Sequence, residues 1–150
     1  MPDDPRPRFA VSASLVVNAS PEKIFDVLAD PSRHAEFDGS GSVQRARPGA
    51  PSRLALGDRF GMEMKIGFRY RIRNEVVDFE ANRRIAWRHF GRHVWRYELE
   101  PDADGRTLVT ETFDWSTARS RKVIELMGYP KKNLAAMEAT LERLAEVVEP

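Results

Sequence analysis

Hydrophobic and polar positions follow two different periods along this chain, and the change between them organises it. Over residues 130–148, Leu134, Met137, Leu141, Leu144 and Val148 recur at spacings of three, four, three and four. That is one apolar stripe on an α-helix. Lys131, Lys132, Glu138, Glu142, Arg143 and Glu146 fall mostly off the stripe, and Pro130 suits the first helical turn, where its missing N–H is not needed. Upstream a period of two dominates. Residues 9–17 alternate loosely and are rich in Val, Ala and Ser, which predicts a first strand. A weak strand follows at 43–47, then strands at roughly 58–66, 68–80, 84–90, 93–100 and 107–115. No helical pattern separates these last five, so antiparallel meander pairing is expected.

The interruptions are as informative as the strands. After residue 17, Ser20 is a good N-cap, Pro21 takes the first helical position and Glu22 favours the positive end of the helix dipole. Ile24, Phe25, Val27 and Leu28 give this short helix a buried side. Asp30-Pro31 repeats the cap-plus-proline signal and predicts a second short helix to about Phe37. Residues 38–42 form a turn that lacks the spacing and the βαβ setting of a dinucleotide fingerprint. Residues 119–127 predict a short helix or loop with Val123, Ile124, Leu126 and Met127 packed inward, ended by Gly128.

Alternation within the strands assigns faces. Arg69, Arg71 and Arg73 face one way, and Phe68, Tyr70 and Ile72 the other. The arginine stripe reads as the solvated side of a half-buried sheet rather than a phosphate-binding face. Trp87 must share a face with Trp95 or Tyr97, which requires an odd-length loop, with Gly91 supplying an unusual backbone angle or a flanking bulge. At the Asp104-Gly105 hairpin, either Val109, Glu111 and Phe113 or Leu108, Thr110 and Thr112 point inward, and apolar content favours the first set.

Composition narrows the function classes. At 150 residues the chain is one domain's worth, with residues 1–8 expected to be a flexible N-terminus and 9–150 a single domain. A formal net charge of +1 offers no strong field for nucleic acid or a membrane surface. Absent cysteine removes disulfides, thiolate metal sites and Cys nucleophiles. No apolar run approaches a membrane span and no signal-peptide core follows the N-terminus, so a cytoplasmic location without stable membrane insertion is expected.

The order β-α-α-β6-α, together with specific motifs, resembles the START-like (SRPBCC) superfamily and its bacterial polyketide cyclase/dehydrase-like branch. The motifs are Val17-Asn18-Ala19-Ser20-Pro21-Glu22-Lys23-Ile24-Phe25 with Leu28-Ala29-Asp30-Pro31, Asn74-Glu75-Val76-Val77, and Trp87. Further along come Trp95-Arg96-Tyr97-Glu98-Leu99 and Thr107-Leu108-Val109-Thr110-Glu111-Thr112. The resemblance spans residues 11–147. It implies an α+β helix-grip fold, in which a strongly curved antiparallel seven-stranded sheet wraps around the long C-terminal helix over a hydrophobic cavity. Many members carry a Trp where this chain has Phe37.

The inward-facing residues then give the candidate pocket: Phe60, Met62, Met64, Tyr70, Trp87, His89, Trp95, Tyr97, Val109, Glu111 and Phe113, roofed by Leu134, Met137 and Leu141. These either enclose a flat apolar ligand or fill a solid core. Glu111 and His89 are the titratable groups that alternation sends inward, and desolvation would fit Glu111 for acid–base work. His34 lies far along the chain from His89 and His93, so no metal site is expected, and no cofactor is implied. Three readings stand. The first is a protein that binds a small hydrophobic molecule, lipid-like, polyketide or aromatic, as a monomer or homodimer and without nucleic acid. The second is a cyclase or dehydratase using Glu111 and His89. The third is a protein-interaction module with a filled interior.

Overall fold

A computed structural model of the chain describes residues 9–150. The expectation for residues 1–8 lies outside that span. Seven strands form one sheet: β1 (Ala10–Val17), β2 (Val43–Ala46), β3 (Arg59–Ile66), β4 (Phe68–Glu80), β5 (Arg84–Arg88), β6 (Val94–Pro101) and β7 (Thr107–Asp114). Their spatial order is β1-β7-β6-β5-β4-β3-β2, with every neighbouring pair antiparallel. Strands β2 to β7 are therefore a meander, and β1 closes onto its far side.

Between β1 and β2 lie α1 (Pro21–Leu28), a single 3-10 turn at Pro31–Arg33, and α2 (His34–Phe37). Local chemistry starts both helical segments where expected. Ser20 Oγ accepts from the Lys23 N–H at 3.3 Å, and Asp30 Oδ1 accepts from the Ser32 N–H at 3.0 Å. After β7 come α3 (Arg121–Leu126), capped by Ser120, and α4 (Tyr129–Val148). Gly128 separates them in the left-handed region at φ 72°.

Helix α4 is about 30 Å long and packs chiefly on β1, and also on α2, β7, α3 and α1. Its stripe is Met137, Thr140, Leu141, Leu144, Ala145 and Val148, all buried. At the end covered by α1 the interior is solid: Ile24, Phe25, Leu28, Phe60, Val109, Leu141 and Leu144 are all at most 2% exposed. Away from that end β3, β4 and β5 are not pressed against α4, and a space opens.

Three expectations need correction. Of the four apolar residues assigned to the core in 119–127, only Ile124 is half-buried, while Val123, Leu126 and Met127 are 55%, 89% and 52% exposed. The helix holding them is only six residues long and lies beyond the end of the sheet, so it has one neighbour-facing side to bury. Phe68, grouped with Tyr70 and Ile72, is 70% exposed, because the β3–β4 turn at Gly67 carries it past the cavity wall. The β5–β6 loop is odd in length, as required, and Trp87 pairs with Trp95. The positive φ, however, belongs to Arg92 (63°) and not to Gly91. The Arg92 N–H donates to the His89 carbonyl at 2.9 Å, closing a turn after which the fourth residue takes the left-handed conformation.

Candidate functional site

The space between the sheet and α4 is a cavity of about 370 Å³. Its floor comes from alternate residues of the central strands: Met62 and Met64 on β3, Tyr70, Ile72 and Asn74 on β4, Trp87 on β5, Trp95 and Tyr97 on β6, and Glu111 and Phe113 on β7. Its roof is Asn133, Ala136, Met137 and Thr140 of α4, and Tyr129 and Ile124 stand at one lip. The turn after α2 closes the opposite side with Asp38, Ser40 and Ser42. That turn is fastened to α4: the Gly39 N–H donates to Thr140 Oγ1 at 2.8 Å, and Arg143 Nη1 donates to the Asp38 carbonyl at 2.5 Å.

Ten of the fourteen residues assigned to the pocket from the sequence line this cavity: Met62, Met64, Tyr70, Trp87, His89, Trp95, Tyr97, Glu111, Phe113 and Met137. The other four do not. Phe60, Val109 and Leu141 face inward but lie in the solid end of the core. Leu134 packs beside Phe113, Trp115 and Met137 in a second cluster behind the cavity wall. Strand alternation turned Phe60 and Val109 inward and the helical stripe did so for Leu134 and Leu141; the missing information was where the interior changes from filled to hollow.

Glu111 and Tyr97 face each other across β6 and β7, and the Tyr97 O–H donates to Glu111 Oε1 at 2.9 Å. The hairpin register therefore puts Val109, Glu111 and Phe113 inward. Glu111 is 4% exposed, and its Oε2 has no hydrogen-bond partner. Loss of water around the carboxyl pushes its pKa up to about 8, and the nearby Asp38 charge adds to this. The Tyr97 hydrogen bond works in the opposite direction but does not prevail. Glu111 is thus a neutral carboxylic acid at pH 7. Tyr97 is itself held well above the usual phenol range by burial and by its acidic partner.

The histidines are brought together in a way their separation along the chain does not suggest. His34, His89 and His93 all line the cavity. The His34 ring stacks on Trp87 at 4.8 Å between centroids. Its Nε2 lies 2.8 Å from the Leu28 carbonyl, which can only accept, so Nε2 carries the proton. Burial lowers the pKa of His34 to about 4. His89 and His93 meet edge to face at 4.6 Å. Burial, then the neighbouring His89, lowers His93 to about 4, and burial lowers His89 as well. All three are neutral at pH 7. The Gly91 N–H donates to His89 Nδ1 at 3.3 Å, whereas His93 Nδ1 has no partner. Among the described residues, no three His, Asp or Glu side chains converge as a metal site.

Sequence reasoning overlooked His34, Phe37, Asp38, Asn74, His93 and Thr140 among the lining residues. Three carried a readable signal: Asn74 continues the alternation of Tyr70 and Ile72, His93 stands two residues before Trp95 on the same alternation, and Thr140 lies three residues beyond Met137. His34, Phe37 and Asp38 come from a segment too short to show a period. What the assembled site can do is enclose an apolar, aromatic-faced molecule and offer it uncharged hydrogen-bonding groups: one carboxylic acid, a phenol and imidazoles.

Comparison with known proteins agrees with this architecture. Residues 8–149 match the model of a family described as "Polyketide cyclase / dehydrase and lipid transport". The chain is 40% identical over 141 residues to the uncharacterized protein Rv0088 of Mycobacterium tuberculosis strain ATCC 25618 / H37Rv. That alignment covers 91% of this chain and 62% of the relative, so the chain spans less than two thirds of the relative's length. Among solved structures, protein NE0264 from Nitrosomonas europaea superposes with a TM-score of 0.72 at 17% identity, covering 94% of each chain. Protein CV1439 from Chromobacterium violaceum gives 0.70 at 20% identity, covering 94% of this chain and 98% of that one. At these identities the two structures bear on the fold alone, which is the helix-grip fold.

Proposed function

Since the chain belongs to the polyketide cyclase / dehydrase and lipid transport family, we propose that it binds a small hydrophobic molecule, lipid-like, polyketide or aromatic, between the sheet and α4. The observation that carries this reading is the hollow interior. A folded chain of this size normally packs its core to crystal-like density, yet about 370 Å³ stays open among Met62, Met64, Trp95, Phe113 and Met137. Aromatic rings and flexible methionines suit a flat apolar guest. A filled core, as an interaction module would have, lacks such a space.

Native mass spectrometry of freshly purified protein, followed by organic extraction, tests the proposal. A stoichiometric apolar adduct is the expected result. Stripped protein should also melt at a higher temperature as an apolar fluorophore such as 1-anilinonaphthalene-8-sulfonate is added. A clean mass together with an unchanged melting temperature across the titration would sink it.

A second reading, a cyclase or dehydratase, draws on Glu111. A neutral carboxyl with one unpartnered oxygen inside an apolar cavity can give a proton to a carbonyl or hydroxyl and take one back. Its test is turnover of an aromatic-forming poly-β-ketone by the wild type and by Glu111→Gln. Enzymatic use of Glu111 requires a rate loss of roughly 100-fold or more, with binding of the same compound retained.

A further inference from the structure

Apolar side chains that the core did not absorb gather at one end of the molecule. The β3–β4 turn, the β5–β6 loop and the segment after β7 all lie at the same end of the sheet, as the antiparallel order dictates. There Ile66, Phe68, Phe90, Leu126 and Met127 are 56%, 70%, 80%, 89% and 52% exposed. Ile66 lines the cavity itself, and the other four stand one or two positions along the chain from lining residues: Phe68 from Tyr70, Phe90 from His89, and Leu126 and Met127 from Ile124 and Tyr129. Ile66 and Tyr70 form one lip, Ile124 and Tyr129 the other, and the Phe68 ring lies 5.7 Å from that of Tyr70. Single exposed apolar residues are ordinary, but a set this size on several elements around one opening marks an interaction surface.

Charge identifies what the surface meets. Lys65 and Arg69 flank the β3–β4 turn as a cross-strand pair, while Arg121, Lys122, Lys131 and Lys132 belong to the α3–α4 lip. None of the six is in an ion pair among the described residues. The single acid between residues 119 and 132, Glu125, is engaged by the Trp115 indole N–H at 3.0 Å. The whole chain is nearly neutral at +1, so this end is locally cationic against a remainder of net negative charge. A second copy of the chain docked about a two-fold axis would set these cations against each other. An anionic bilayer instead receives aromatic and aliphatic tips at the headgroup level while its surface potential attracts Lys and Arg.

We infer that the cavity mouth docks reversibly on an anionic lipid bilayer, with Phe68 on one lip and Leu126–Met127 on the other entering the headgroup region. No helix of the described residues is long and apolar enough to cross a membrane, so the contact is peripheral. The opening then faces the lipid phase, from which an apolar guest could enter without crossing water. The inference does not depend on which molecule fills the cavity, or on whether any does.

Vesicle flotation with the full chain decides the matter, using phosphatidylcholine alone and equal parts of phosphatidylcholine and phosphatidylglycerol. The expected result is roughly tenfold or greater preference for the anionic vesicles, declining as salt is raised. Phe68→Glu with Leu126→Glu should remove that binding while leaving the melting temperature unchanged, since both side chains are exposed. Lys131→Glu with Lys132→Glu should weaken the anionic preference and spare the fold. The inference is overturned if the wild type does not distinguish the vesicles, or if the Phe68/Leu126 variant floats as the wild type does. It is equally overturned if sedimentation shows a wild-type dimer that this variant breaks, with no vesicle binding, because the surface is then a self-interface.

Discussion

Glu111 makes the stability of this protein depend on pH in a direction unusual for a carboxylate. Its folded pKa is raised from 4.5 to about 8, so between those values the folded chain keeps a proton that the unfolded chain has released. Stability therefore falls as pH rises through that window and levels off above it. The groups bearing on Glu111 are Tyr97 from β6 and Asp38 from the turn after α2. His34 and His93 act oppositely: lowered from 6.5 to about 4, they bind fewer protons folded than unfolded in that interval. Stability is lost there as pH falls. Urea denaturation should accordingly show a maximum near ~pH 6.5. Glu111→Gln should abolish the alkaline decline, a gain of about 2 kcal/mol over the wild type between pH 6.5 and 8.5. Parallel wild-type and variant profiles would contradict this account. Tyr97→Phe removes the hydrogen bond that favours ionised Glu111, so it should cost about 1–3 kcal/mol and move the Glu111 titration higher still, followed by carboxyl-carbon NMR. At this scale the sequence was partly legible. Alternation placed Glu111 and Tyr97 inward, but His34 sits in a segment of a few residues where no period exists, and only tertiary packing stacks it on Trp87.

Between elements, the turn after α2 lies close against the backbone of α4. A methyl group on Gly39 would lie 2.5 Å from the backbone nitrogen of Thr140 and 2.7 Å from the Ala139 backbone. Backbone cannot yield as a side chain can. Gly39→Ala should therefore destabilise by roughly 1–3 kcal/mol, and Thr140→Val, which strips the Gly39 N–H of its acceptor, by roughly 1 kcal/mol. Chemical denaturation measures both, and an unchanged midpoint for Gly39→Ala would show that the turn swings free of α4. The starts of α1, of the turn before α2 and of α4 were readable to within a residue or two because Ser20, Asp30 and Gly128 act on their own backbone neighbourhood; Ser120, which caps α3, was not singled out. The burial of α3 was not readable. Val123, Leu126 and Met127 have the composition of a core face, and nothing local records that the sheet ends before reaching them.

For the whole molecule, the element order and the antiparallel meander followed from periods and caps, whereas the curved sheet gripping α4 over a cavity was implied only by the family resemblance, and the periods alone do not give the hollow. Alternation states which side of a strand faces in, not how far away the opposite wall stands. Ala136, half-buried on the cavity roof, gives a direct test. Ala136→Phe should occupy the space and abolish binding of an apolar probe, with a melting temperature no lower than that of the wild type. Loss of the fold instead would mean that the space is smaller than drawn. The pairing of β1 with β7 has a temporal consequence. Ala10 is partnered by Asp114 and Val17 by Thr107, so the first strand synthesised waits for the last. At about 5–20 residues per second, that wait on a translating ribosome is roughly 5–20 s. Throughout it the five strands β2 to β6 can pair by successive hairpins, while β1 stays a loose strand open to any other. A nascent chain halted before residue 107 leaves the ribosome with that strand unclaimed, and there the protein is most exposed to mispairing with its neighbours.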